Sequence, residues 1–296
     1  MLIFDLIGYF TRKLDKREVK LQNIVKMSSD HHRDGTVPEK NSKVSIIIPT
    51  RDNSQLLTEC ITSVEQNSLE WNVELIVVDN NSTEAETLEL LTQFKDKGIS
   101  ILSYPGNFNF SAICNFAAAQ ATGDYLCFLN NDTSVISEGW LKSLVDHASQ
   151  SDVGLVGAVL LYPGGLIQHS GIALGFTGIA GHPCRGQAFP NDSLSDCFQV
   201  SAVTFACAVI SRDKYQALGG LDQAFPVGFN DVDIAVRAQN AGYKNILCTK
   251  TILTHAESQT RPKSMSFSGF RQATMDVLKY IRKHPNQSSD AFFSRE

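Results

Sequence analysis

VSIIIPTRDN, residues 44–53, and VELIVVDNNS, residues 73–82, decide how this chain folds. Val44–Pro49 is a continuous apolar, β-branched run with no alternation, and Val73–Asp79 is nearly so. A strand buried on both faces reads this way, as in a parallel sheet covered by helices. Ile99–Tyr104, Tyr125–Asn130 and Val153–Leu160 repeat the pattern. Between them apolar residues fall at helical spacing. Leu56, Leu57, Cys60, Ile61 and Val64 share one face; Leu88, Leu91 and Phe94 share another; Leu141, Leu144, Val145 and Ala148 share a third. Strand and helix alternate, which predicts an α/β domain with a mainly parallel central sheet flanked by helices. Past Pro163 glycines cluster, from Gly164 to Gly186, and predict a loop-rich half built around a pocket. Val203–Ser211 reads as a further strand. Asp231–Ala241 reads as a helix closed by Gly242, and Ser266–Lys283 as a C-terminal helix. No internal repeat is visible.

Composition narrows the function classes. The chain has 296 residues and a formal net charge of -5. An acidic balance argues against a general nucleic-acid binder, which needs a basic surface to replace phosphate counterions. The seven cysteines include no C-x-x-C pair, and several sit in apolar strand-like runs. They read as buried thiols in a reducing cytosol. No apolar run reaches the ~20 residues of a membrane-spanning helix. Met1–Phe10 is apolar, with Arg12, Lys13, Lys16 and Arg17 after it, the reverse of a signal peptide's order. Three readings fit residues 1–20: an arm lying peripherally on the inner face of the plasma membrane, a helix docked on this protein or a partner, or a frayed end. Met27–Ser42 is polar and reads as a linker. The predicted organisation is an arm and linker over 1–41, a catalytic domain over 42–262 and a helix with a tail over 263–296.

In open α/β sheets, ligands bind outside the carboxyl ends of the strands. Those ends read Pro49-Thr50-Arg51-Asp52-Asn53, Val78-Asp79-Asn80-Asn81-Ser82 and Leu129-Asn130-Asn131-Asp132-Thr133. Any one of these polar groups alone is as well explained by a helix cap or turn. Three acidic strand ends at one sheet rim are harder to dismiss as capping.

The stretches VSIIIPTRDN (44–53), VELIVVDNNS (73–82), GDYLCFLNNDT (123–133), ALGGLDQAF (217–225) and FNDVDIAVRAQNAGY (229–243) resemble family-2 glycosyltransferases of the GT-A nucleotide-sugar fold. Their order and spacing match over roughly residues 42–262. The resemblance implies an inverting transfer of a sugar from a UDP- or dTDP-sugar to a hydroxyl of a saccharide or lipid-linked saccharide, as in surface polysaccharide assembly. Asp79 matches the residue that binds the nucleobase, with Thr50 and Asp52 lining the same slot. A pyrimidine N–H suits an acceptor carboxylate. Asn130-Asn131-Asp132 stands at the family's D-x-D metal motif, so Asn130 and Asn131 fall on the donor side and Asp132 on a divalent cation, Mn²⁺ or Mg²⁺. Asn130 departs from the strict motif and adds no charge, which predicts weaker affinity for the free ion. His255 matches a further metal ligand in some relatives, and its nitrogen would favour Mn²⁺. Asp231 matches the general base, acting opposite the leaving group. Asp233 is expected either to bind the acceptor or to orient loops.

The acceptor side is less legible: Gln168, His169, Phe205 and the loop Phe225–Phe229 are candidates there. Arg261 is a candidate phosphate contact or a solvated charge. Trp71 and Trp140 sit in amphipathic patterns and read as core. Two other functions compete. A sugar nucleotidyltransferase would carry a Gly-rich, basic loop after the first strand, where this chain has PTRDNSQ. A non-catalytic sugar-nucleotide-binding module is permitted by Asn130 and opposed by Asp132, Asp231 and His255.

Overall fold

The computed structural model describes residues 42–175, 179–190, 196–256 and 267–285, together with Pro38, Asp290 and Phe292. The N-terminal arm, most of the linker and Arg261 lie outside the described residues.

The predicted alternation is present. Strands β1 (Lys43–Thr50), β2 (Asn72–Asp79), β3 (Ser100–Ser103) and β4 (Tyr125–Leu129) are separated by helices α1 (Ser54–Asn67), α2 (Ala85–Asp96) and α3 (Phe110–Ala118). β1 pairs in parallel with both β2 and β4, and β2 with β3. β5 (Thr133–Val135) and helix α4 (Trp140–Ala148) lead to β6 (Val153–Leu161). Short strands follow in the Gly-rich half: β7 (Ile167–His169), β8 (Ala173–Leu174), β9 (Ala180–Gly181) and β10 (Cys197–Val200). β11 (Cys207–Ser211), α5 (Arg212–Ala217), α6 (Asn230–Asn240), β12 (Lys244–His255) and α7 (Phe267–Lys283) complete the order. The main sheet runs β10-β12-β6-β11-β4-β1-β2-β3, with β5 on β12 and β7 on β6.

The sheet is mixed, because β11 runs antiparallel between β4 and β6. The strand expected from Val203 begins only at Cys207. Val203 is wedged over Gly157, where an added Cβ would stand 2.5 Å from the valine Cβ. Phe205 then turns onto Phe128, ring centroids 4.9 Å apart. Residues 203–206 are thus pulled off the sheet and into the cleft wall.

The two faces of the sheet each carry a core. Ile47 of β1 packs with α3 and α6 residues such as Ile113, Ala117 and Ile234. Ile46 and Ile48 point the other way, onto Leu57, Ile61, Leu141 and Leu144 of α1 and α4. This is the alternation that a pleated strand imposes. Trp140 is fully buried with its indole N–H on Ser68 Oγ at 3.1 Å, and Trp71 packs against the same core. All seven cysteines are free and buried. Gly242, at φ 89°, closes α6: Tyr243 N–H bonds Ala238 O and Gly242 N–H bonds Gln239 O, the Schellman pattern. Among the described residues no helix is long and apolar enough to cross a membrane.

Candidate active site

The carboxyl ends of β1, β2 and β4 open into a cleft of about 740 Å³ whose far wall is the Gly-rich half and the start of α6. Thr50, Arg51, Asn80, Asn131, Asp132, His255 and Asp231 all line it. Each of the three strand ends thus reaches one cleft, but only the third brings its carboxylate there. Thr50 sits opposite Asp79 in register and accepts from Asn131 Nδ2 at 3.0 Å, tying the first and third rims together.

Asp52 and Asp79 do not line this cleft. Asp52 Oδ1 accepts from the backbone N–H groups of Thr83 and Glu84, at 2.6 and 2.9 Å. Those bonds hold its carboxyl below the usual range. Asp79 Oδ1 accepts from Ser82 N–H at 3.0 Å, the Asx-turn that its sequence context also allowed. Both carboxylates hold the paired loops that carry Arg51 and Asn80 into the cleft. Asp52, Asn53 and Asn81 have φ between 56° and 66°, a left-handed bend that Asp and Asn tolerate best among residues with a Cβ. Asn80, which sequence reading passed over, donates to the carbonyls of Tyr104 and Gly106, while its buried Oδ1 has no hydrogen-bond partner.

Asp132 ends a tight turn between β4 and β5, in which Thr133 Oγ1 donates to Asn130 O at 2.7 Å. β5 pairs antiparallel with β12, and His255 lies in register with Thr133. That register sets His255 Nε2 3.0 Å from Asp132 Oδ1. Gln168 fixes the ring: its Nε2 donates to His255 O at 3.2 Å, which leaves Oε1 to face His255 Nδ1 at 2.5 Å. Nδ1 therefore carries a proton, and Nε2 is the ring nitrogen that faces the carboxylate oxygen. Two acceptors 3.0 Å apart repel unless a proton or a metal cation lies with them. A carbonyl-type oxygen orienting the far nitrogen is also what metal-binding histidines use. The residues present thus fit a divalent ion, with two protein ligands. Asn130 Nδ2, 3.4 Å from the same Nε2, is a neutral neighbour.

Asp231 is the first full residue of the α6 turn after Asn230, and its Oδ1 accepts from Val232 N–H at 2.8 Å. Burial, opposed by that bond and by the Thr204 side chain, raises its pKa from 3.8 to about 6. The helix opens on Phe229 with φ 63°, an outlier for a bulky residue of the kind that collects at working sites. The Phe229 ring stacks on Tyr280 of α7, centroids 5.0 Å apart. Phe229 reaches the cleft.

Asp233 faces the other way and does not line the cleft. It is fully buried, bonded to Arg237 Nε at 2.9 Å, Lys283 Nζ at 2.7 Å and His284 Nε2 at 2.8 Å. Of its two expected roles, the orienting one matches this placement. Two residues, about half a helical turn, separate Asp231 on the cleft side from Asp233 on the α7 side.

His169 is also withdrawn behind the wall, at 1% exposure. His182 stands in front of it and lines the cleft, beside Thr204. Neither was visible as a site residue in the sequence, because nothing local marks a residue whose partners lie in other loops.

The alternating sheet and the cleft at the carboxyl ends of its strands define an α/β fold of the kind that binds ligands at a strand-end rim. The model of the family described as "Glycosyl transferase family 2" matches residues 45–219, and the chain belongs to that family. An O-antigen biosynthesis protein, RfbC, of Myxococcus xanthus is 38% identical over 226 residues, 74% of this chain. The chain spans only 18% of that relative's length. Two solved structures share the fold at low identity. GalNAc-T7, solved with UDP, GalNAc and Mn²⁺, gives a TM-score of 0.67 at 14% identity, covering 94% of this chain and 57% of that one. The mannosyltransferase PcManGT of Pyrobaculum calidifontis, solved with GDP-Man and Mn²⁺, gives 0.60 at 16% identity, covering 94% of this chain and 71% of that one. The expected GT-A architecture is thus the one observed.

Proposed function

We propose that this chain transfers a sugar, with inversion, from a UDP- or dTDP-sugar to a saccharide hydroxyl in the assembly of a surface polysaccharide. The observation that carries the reading is the facing pair of Asp132 Oδ1 and His255 Nε2, 3.0 Å apart, in the same cleft as a raised-pKa Asp231. The family, the O-antigen relative and the Mn²⁺ in both structural neighbours support it.

Asp132 and His255 would hold a divalent ion, which stabilises charge gathering on the departing diphosphate. Thr50, Arg51 and the neighbouring Asn80 line the nucleotide end, and Arg51 adds a positive charge. Asp231 takes the proton from the acceptor hydroxyl as its oxygen attacks the anomeric carbon. A single base opposite the leaving group gives one displacement and an inverted centre. A carboxylate with a pKa near 6 is a better base than an ordinary one and is still ionised at neutral pH. Thr204, bonded to Asp231, orients it.

A thermal-shift panel of UDP-, dTDP- and GDP-sugars, with and without MnCl₂, tests the donor. A ligand raises Tm as its concentration exceeds its Kd. Pyrimidine sugar nucleotides should raise Tm only when Mn²⁺ is present. A shift that is equal without metal, or absent for every nucleotide, contradicts the reading.

A further inference from the structure

Asp79, expected to read the edge of a nucleobase, is taken up by the Ser82 turn and stays outside the cleft. An aromatic ring stands at the same end of the site. Phe108, in the loop between β3 and α3, lines the cleft and is 52% exposed. Three other phenylalanines line the cleft, and their faces are occupied. Phe205 packs on Phe128, Phe229 stacks on Tyr280, and Phe110 packs against the core.

The loop is fastened on both sides of Phe108. Before it, Tyr104 N–H donates to Asp79 O at 2.8 Å. Asn80 Nδ2 donates to Tyr104 O and Gly106 O at 3.1 and 2.8 Å, and Asn81 Nδ2 to Gly106 O at 3.3 Å. Gly106 lies against the Tyr104 ring, where an added Cβ would stand 2.7 Å from ring atom Cε1. After it, Asn109 caps α3 through Ala112 N–H at 3.1 Å and donates to Gln223 O at 3.0 Å. Phe110 N–H donates to Pro226 O at 2.8 Å. Only Asn107 and Phe108 lie between these anchors. A backbone held in this way offers the ring with little ordering left to be done on binding.

All the anchors before Phe108 come from residues 79–81, at the carboxyl end of β2, so the ring is registered to the nucleotide end of the cleft. We propose that Phe108 is the nucleobase platform of this site: its ring takes the face of the donor's base, where a carboxylate was expected to read the edge. The proposal rests on the donor reading above. Stacking needs only a flat base, so uridine and thymidine diphosphates should share the interaction and inorganic pyrophosphate should lack it.

Calorimetry in MnCl₂ compares wild type with Phe108→Ala for UDP, dTDP and inorganic pyrophosphate. The side chain is half-exposed, so its removal opens no core cavity. Loss of the stack should weaken UDP and dTDP by about five- to a hundredfold and leave pyrophosphate unchanged. Phe108→Trp keeps an aromatic face and should retain UDP affinity. The emission of its added indole should be quenched saturably by UDP and not by pyrophosphate. UDP affinity unchanged in Phe108→Ala would put the ring on the acceptor side and overturn the proposal. An equal loss for pyrophosphate, or an indole that UDP does not quench, overturns it as well. Both of these results leave the donor reading standing. Wild type that binds neither UDP nor dTDP overturns the donor reading itself, and the platform with it.

Discussion

Asp231 is held in a setting that burdens the fold when the carboxylate is ionised. Its folded pKa, about 6, lies above the ordinary 3.8, because burial penalises the carboxylate. A raised acid stabilises the fold fully below its unfolded pKa, and that contribution is lost as pH rises through the folded value. At pH 7 the ionised group is therefore a burden. Asp231→Asn should abolish transfer, leave binding of the donor nucleotide intact, and raise Tm at pH 7. The gain in Tm should vanish below about pH 4. In wild type the rate should fall as pH drops below about 6, as the base takes up a proton. A pH-independent rate across pH 5 to 7 would remove Asp231 as the base. At the same scale, His255→Ala leaves Asp132 as the sole protein ligand. It should weaken Mn²⁺ more than Mg²⁺, since nitrogen donors favour the former. Metal titrations of donor binding measure this.

Single residues were unevenly legible. Asp132 was readable as the polar end of an apolar strand, whereas His255 and Asp231 were singled out only through the resemblance to the family. Asp52 and Asp79 were harder. A carboxylate after a strand either caps a turn or faces a ligand, and only the bonds to Ser82, Thr83 and Glu84 decide between them. His169, expected on the acceptor side, is withdrawn, and His182, which the sequence did not mark, lines the cleft. Which of two histidines in separate loops stands in front depends on packing that no local pattern records.

At the scale of elements, α7 acts as a strap on α6, the helix that carries Asp231, the proposed base. Lys283 bridges Asp222 and Asp233 at 2.6 and 2.7 Å, His284 reaches the same Asp233, and Tyr280 stacks on Phe229. Removing one partner of a buried charge leaves the rest unpaired. Asp233→Ala, which leaves Arg237 without its carboxylate, should cost about 3–5 kcal/mol in urea unfolding. His284→Ala should cost less, about 1–3 kcal/mol, and should lower kcat while sparing nucleotide affinity. A nucleotide Kd that rises in step with the loss of kcat would mean that α7 supports the whole cleft instead of α6 alone. The sequence showed α7 by its apolar spacing, but its docking site follows from charges 50 or so residues upstream. Gly157 is a second element-scale test. A methyl there meets Val203, so Gly157→Ala should destabilise by about 1–3 kcal/mol, through overpacking, on the same urea curves.

Over the whole molecule, the parallel half of the sheet was legible because its strands are buried on both faces and read as unbroken apolar runs. The β11 insertion was not, since an antiparallel central strand has the same composition as a parallel one. The account of function depends on one geometric claim: Asp132 and His255 meet around a cation that also holds the donor diphosphate, on the near side of Asp231. Anomalous diffraction at the manganese edge, from crystals grown with UDP and MnCl₂, measures this directly. The account predicts a single strong peak between Asp132 Oδ1 and His255 Nε2, joined to diphosphate density that runs towards Thr50 and Asn80. A peak elsewhere, or UDP bound there with no anomalous signal, would contradict it.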